Sequence, residues 1–131
     1  MTIRRFLIAA AAILACSSAA WAHHSFAVFF DPNKQATIEG KVTAFRFTNP
    51  HAMIALDVTK AGGGVENWRV ETNSPTILMR RGWRRDSLKP GQTVKITGWL
   101  SRDGRPYMRL REARNPDGSL VGSAPFEPTD G

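Results

Sequence analysis

Beyond an apolar N-terminal run, the chain reads as short segments whose hydrophobic residues recur every second position, cut apart by Gly and Pro. "ATIEGKVTAFRF" (36–47) reads as a long strand. Ile38, Gly40 and Val42 fall on one face, and Phe45 and Phe47 on the opposite phase. A switch of phase inside one strand predicts a bulge or a sharp coil. "HAMIALDVT" (51–59) predicts a second strand with Ile54, Leu56 and Val58 on one face. The glycine-rich stretch 60–67 predicts a hairpin loop, and "ENWRVET" (66–72) the returning strand with Trp68 and Val70 inward.

The stretch 73–83, "NSPTILMRRGW", carries the one helix signal after the N-terminal segment. Ser74 suits the cap, Pro75 the first turn and Gly82 the position past the end. Arg80 and Arg81 fall where the helix dipole favours cations. Residues 89–100 predict a turn and a strand with Val94 and Ile96 on one face, and "RDGR" (102–105) a hairpin turn. Residues 106–114 predict a last strand. The tail 122–131 holds two prolines and few apolar residues, which predicts a flexible end. Strand, strand, strand, helix, strand, strand is the order of a five-stranded OB-like Greek-key β-barrel, all-β apart from one short helix between strands 3 and 4. An open β-sandwich is the alternative architecture.

The N-terminal run changes the picture of where the protein works. Arg4 and Arg5 precede about ten apolar residues, followed by the small-x-small site Ala20-Trp21-Ala22. This predicts a signal peptide over 1–22, a single domain over 23–121 and a periplasmic location. Cleavage there would remove two arginines and no acid, lowering the net charge from +7 to +5, and would remove Cys16, the one cysteine. Cysteine-based zinc binding or nucleophilic catalysis is thereby excluded from the mature chain. No second long apolar run follows, so no transmembrane helix is expected there. The competing process is lipidation of Cys16 at the loose lipobox Ile13-Leu14-Ala15-Cys16.

"HHSFAVFFD" at the mature start, "FTNPHAMIALDV" in the second strand and "RRGWRRDSLKPGQTVKITG" after the helix resemble one family. It is a family of small exported bacterial proteins of unknown function, beginning His-His-Ser-Phe and carrying Thr-Asn-Pro-His. The resemblance runs from residue 23 to about 114 and implies a periplasmic β-barrel domain without an established activity. Phe47 and Ala52-Met53 depart from it, standing where the family more often has Trp and a bulkier aromatic.

The candidate chemistry lies at the three histidines, His23, His24 and His51. A histidine at a free N-terminus offers its amine and its ring as a chelate for Cu(II), and a further imidazole completes a three-nitrogen site. His51, by alternation, shares the outward face of strand 2 with Met53, whose thioether suits Cu(I). Copper therefore fits the donors better than zinc, while the bland reading leaves the histidines structural or incidental. A second candidate is the stretch 80–89, in which Arg80, Arg81, Arg84 and Arg85 surround Trp83. It reads either as a surface for an anionic or protein partner, or as Trp83 packed across a barrel end beneath arginines that stay solvated or pair with Asp86. Export argues against nucleic acid as the partner. Acidic residues are scattered and no phosphate-binding loop is present, so no enzyme activity is expected. The expectation is an exported, non-catalytic binding or accessory domain. Copper is its leading ligand, and an unidentified periplasmic protein, peptide or glycan partner the alternative.

Overall fold

The computed structural model describes residues 26–130; residues 1–25, His23 and His24 among them, lie outside the described residues. A helical turn at 26–29 leads into five strands: β1 (Phe30–Arg46), β2 (Met53–Thr59), β3 (Val65–Glu71), β4 (Thr93–Ser101) and β5 (Tyr107–Arg114). Helix α1 (Pro75–Arg80) lies between β3 and β4. The strands close in the order β1-β2-β3-β5-β4, with β1 pairing back onto β4. All pairings are antiparallel except β3 with β5. This is the five-stranded barrel that the element order predicts.

The first strand makes closure feasible. Its register against β2 shifts between Val42 and Ala44, at the phase switch seen in the sequence. One long strand thereby bends to pair with β2 on one side and β4 on the other. Gly40 sits close against β2: a Cβ there would lie 2.6 Å from the Asp57 carbonyl oxygen. The inward residues Val42, Ile54, Leu56, Val70, Val94 and Ile96 are fully buried, and Trp68 packs against them from its edge. Strand β1 begins at Phe30, six residues before the run of alternation that marks it in the sequence.

Helix α1 closes one end of the barrel. Ser74 caps it through Oγ, which accepts from the Ile77 amide at 3.4 Å, and Pro75 opens its first turn. Gly82 follows at φ 79°, with its amide donating to the Met79 carbonyl at 3.0 Å. Leu78 and Trp83 face into the barrel mouth. The segment 122–130 corrects the expectation of a flexible tail. Phe126 is buried against Trp83, its amide donates to the Arg111 carbonyl at 2.7 Å, and Asp130 pairs with Arg81 at 3.0 Å. One aromatic side chain supplies the apolar anchor that the composition of the segment hides. Among the described residues no helix is long and apolar enough to cross a membrane.

A carboxylate-centred candidate site on the outer face

Alternation along β3 turns Val70 into the core and Glu71 onto the outer surface. The parallel pairing of β3 with β5 sets Glu71 opposite Arg109, and β2 sets it opposite Met53. Glu71 Oε1 lies 2.7 Å from His51 Nδ1 and accepts from Arg109 Nη1 at 2.8 Å. Its other oxygen accepts from the Tyr107 hydroxyl. Three side chains from two other segments thus converge on one carboxylate.

The cluster is shielded although it lies outside the barrel core. The Arg109 side chain is 10% exposed and that of Glu71 19%, against 41% for His51. Burial lowers the affinity of the Arg109 guanidinium for its proton, and the charge of Glu71 opposes that shift. Burial likewise pushes the Tyr107 hydroxyl well above the usual phenol range, and its hydrogen bond to Glu71 adds to the effect. The carboxylate therefore accepts from Tyr107 and Arg109 and lies against His51. A carboxylate only accepts, so the His51 contact places a proton on Nδ1. In the neutral ring the free lone pair is then on Nε2.

Shielding comes from an aromatic group that strand patterns alone do not reveal. Phe26 meets Trp99 edge-on at 5.4 Å between centroids, and Phe30 lies 5.7 Å from Phe26 and 5.2 Å from Tyr107. Arg102 Nε donates to the Ala27 carbonyl at 2.7 Å and holds the same turn down. The chain therefore enters the fold over the outer face of β4 and β5. Tyr107 links this aromatic group to Glu71 and so to His51.

The sequence-predicted residues separate into three sets. His51 and Met53 lie on the outer face, as alternation requires, with Met53 half-buried in the row that also holds Glu71. His23 and His24 lie outside the described residues. Among the described residues no three His, Cys, Asp or Glu side chains gather as a metal cluster. The Arg/Trp stretch turns its aromatic ring inward. Trp83 is 1% exposed and packs against Phe45 and Phe126, because the chain after α1 folds its ring into the barrel mouth. Arg81 is engaged by the Pro125 carbonyl at 2.6 Å and by Asp130, not by Asp86. Arg85 lies over the Phe47 ring at 5.6 Å, while Arg80 and Arg84 are exposed. Glu71, Tyr107 and Arg109 were not candidates from sequence. The signal that could have found them is the topology: in an OB barrel strands 3 and 5 are neighbours, so their outward residues meet.

A family model described as "Family of unknown function (DUF6152)" matches residues 11–108. The chain belongs to this family. The match covers β1 to β4, α1 and the start of β5, and so includes His51, Met53, Glu71 and Tyr107 of this DUF6152 member. No curated protein matches the sequence. Among solved structures, a complex of TiaS with an isoleucine tRNA and ATP aligns over 72% of this chain at 18% identity and a TM-score of 0.47. A ZRD-deleted TiaS mutant in complex with agmatine aligns over 72% at 18% identity and a TM-score of 0.46. The chain spans only 20% and 23% of those two TiaS chains, respectively. The N-terminal domain of PriB from Thermoanaerobacter tencongensis aligns over 70% of this chain and 99% of its own, at 19% identity and a TM-score of 0.45.

Proposed function

We propose that the protein is an exported, periplasmic, non-catalytic accessory domain that binds copper through His51 and the N-terminal histidines. The observation that carries the reading is the approach of the His51 ring to the Glu71 carboxylate. Its Nδ1 is tied to Glu71 at 2.7 Å, which leaves Nε2 free on a half-exposed ring. A metal-ligating imidazole commonly has its other nitrogen held by a carboxylate in this way, which fixes the tautomer and strengthens the ligand. The route of the chain supports the same reading. Phe26 is seated on the aromatic group that leads through Tyr107 to Glu71. His23 stands three residues before Phe26, so its backbone can range about 10 Å from that anchor. Cleavage after Ala22 gives His23 a free amine, which with its ring forms the chelating half of the site. His51, or His24 in its place, supplies the third nitrogen. Met53, the first residue of β2 and two residues after His51, offers a thioether should the bound ion be Cu(I).

The test is a competition titration of Cu(II) against a chelator, with mature protein whose N-terminus has been fixed by mass. Adding one residue before His23 displaces the amine from its chelate and weakens binding without unfolding the barrel. His51→Ala also weakens it, and Glu71→Gln does so by about tenfold or more, the usual size for a partner that orients a ligand. Equal copper affinity in the parent, the extended protein and His51→Ala would mean that the histidines are incidental. A lipid-modified Cys16 as the first residue would remove the terminal chelate altogether.

A further inference from the structure

A second feature of the outer face lies across β1, β2 and β3, goes beyond the copper reading and shares only Met53 with it. Two registered rows cross the barrel there. One runs Arg46, Met53, Glu71, Arg109 and the other Ala44, Ala55, Arg69, Tyr107. The two alanines are the smallest side chains in these rows. They leave a depression between the arginines, a cleft of about 370 Å³ floored by Ala44, Ala55 and Met53 and flanked by Arg46 and Arg69. A neighbouring cleft of about 310 Å³, lined by Arg69, Arg105 and Tyr107 among others, shares Arg69 and continues the depression towards β5.

The charge in this cleft is unbalanced. Arg46 and Arg69 are both exposed and form no ion pair among the described residues. The acids on the adjoining strands are engaged elsewhere. Glu71 is held by His51, Tyr107 and Arg109, Asp57 accepts from Asn67 at 2.6 Å, and Glu66 accepts from the Trp68 indole at 2.7 Å. The guanidinium of Arg69 is propped over the Tyr107 ring at 5.8 Å, with Arg105 at 5.6 Å from the same ring. Two planar forks with free donors beside an apolar floor form a receptor for carboxylates carried on an apolar chain.

We infer that this cleft binds an extended acidic peptide segment of a partner protein, whose Asp or Glu carboxylates meet Arg46 and Arg69 while a neighbouring apolar side chain rests on Ala44, Ala55 and Met53. The lining discriminates against an acidic glycan. The larger cleft presents no hydroxyl or amide side chain to satisfy sugar hydroxyls, the Asn67 amide of the neighbouring cleft already donates to Asp57 at 2.6 Å, and the nearby Tyr107 ring is occupied by two guanidiniums. An extended peptide turns alternate residues to opposite sides, so a mixed acidic and apolar sequence delivers both kinds to the cleft.

The probe is a short fluorescein-labelled peptide repeating Glu-Glu-Leu, with its Gln-Gln-Leu counterpart as control. Both are titrated by anisotropy against the mature, metal-free protein. The acidic peptide should bind and the Gln version should not, and affinity should fall with added salt. Arg46→Gln and Arg69→Gln should each weaken binding by about three- to tenfold, the scale of one charge-assisted contact at a partly exposed site. Ala55→Phe, which fills the cleft and keeps every charge, should weaken it as much. Lys34→Gln, which removes one exposed charge elsewhere on β1, should leave binding within about twofold. Binding unchanged by the Arg46→Gln/Arg69→Gln double variant or by Ala55→Phe would overturn the inference. So would an equal loss with Lys34→Gln, or tighter binding of an oligouronate than of the peptide.

Discussion

Two regions of the barrel carry arginines beside aromatic rings, and they use them in opposite ways. At the end of α1 the conspicuous run Arg80-Arg81-Gly82-Trp83-Arg84-Arg85 serves architecture. Its Trp83 fills the barrel mouth, Arg81 straps down the segment 122–130, and the remaining cations meet solvent or, for Arg85, the face of the Phe47 ring. On the outer face of β3 and β5, single residues scattered from position 51 to position 109 form a shielded cluster around one carboxylate. Density of interesting residues along the chain is thus a poor guide to where chemistry gathers. Adjacency in sequence fixes a helix end, which needs packing. Adjacency across strands fixes which outward groups can share a proton, a ligand or an ion pair.

The largest effect that can test this contrast is at the helix end. Trp83→Ala should cost about 3–5 kcal/mol in urea unfolding, because it empties the space between α1, Phe45 and Phe126. Trp83→Phe should cost far less, since the buried indole nitrogen has no hydrogen-bond partner to lose among the described residues. Arg84→Ala beside it should stay within about 0.5 kcal/mol, as expected for an exposed side chain. A Trp83→Ala protein as stable as the parent would return this stretch to the free binding surfaces.

The next effect lies in the carboxylate cluster. Glu71→Ala leaves Arg109 shielded without its counter-charge and strips the partner from Tyr107 and His51. It should destabilise by about 2–3 kcal/mol. Replacing Arg109 by Met as well should recover part of that loss, because the stranded charge is then gone. The comparison would fail if Glu71→Ala cost no more than Arg84→Ala, for then the cluster would be surface decoration.

The barrel interior was legible because its physics is periodic. Ile54, Leu56 and Val58 announce an inward face by alternation alone, and the phase switch between Val42 and Phe45 announces the bulge that lets one strand serve two neighbours. Ser74, Pro75 and Gly82 mark the helix by local backbone requirements. The outward position of His51 and Met53 followed from the same alternation. The Glu71 cluster did not follow, because its members are joined by the parallel pairing of β3 with β5, which no local pattern encodes. Nor did the anchoring of 122–130: a single Phe126 in a Pro-rich stretch looks like loop composition until the cavity that receives it is known. Trp83 marks a further limit, since one aromatic flanked by arginines has the same appearance as a plug and as a platform.

The finest test separates the two regions by pH. Tyr107 is the hydroxyl in the cluster whose folded-state pKa is raised, first by burial and then by Glu71. A group that holds its proton more tightly when folded stabilises the fold fully below its unfolded pKa, about 10 for a tyrosine. That contribution is lost as pH rises through the unfolded value towards the folded one, because the unfolded chain ionises and the folded chain resists. The melting temperature should therefore begin to decline as pH passes about 10, with a component that Tyr107→Phe abolishes. In the phenylalanine variant the starting stability is lower by about 1 kcal/mol for the lost hydrogen bond, but the alkaline slope is shallower. Trp83→Phe, at the helix end, should leave that slope as in the parent. Tyr107 is the one tyrosine of the chain, so its ionisation can be followed directly by phenolate absorbance. An absorbance midpoint near that of free tyrosine, with no change in slope on Tyr107→Phe, would mean that the hydroxyl is not held by Glu71 and that the outer cluster is as solvated as the arginines of the helix end.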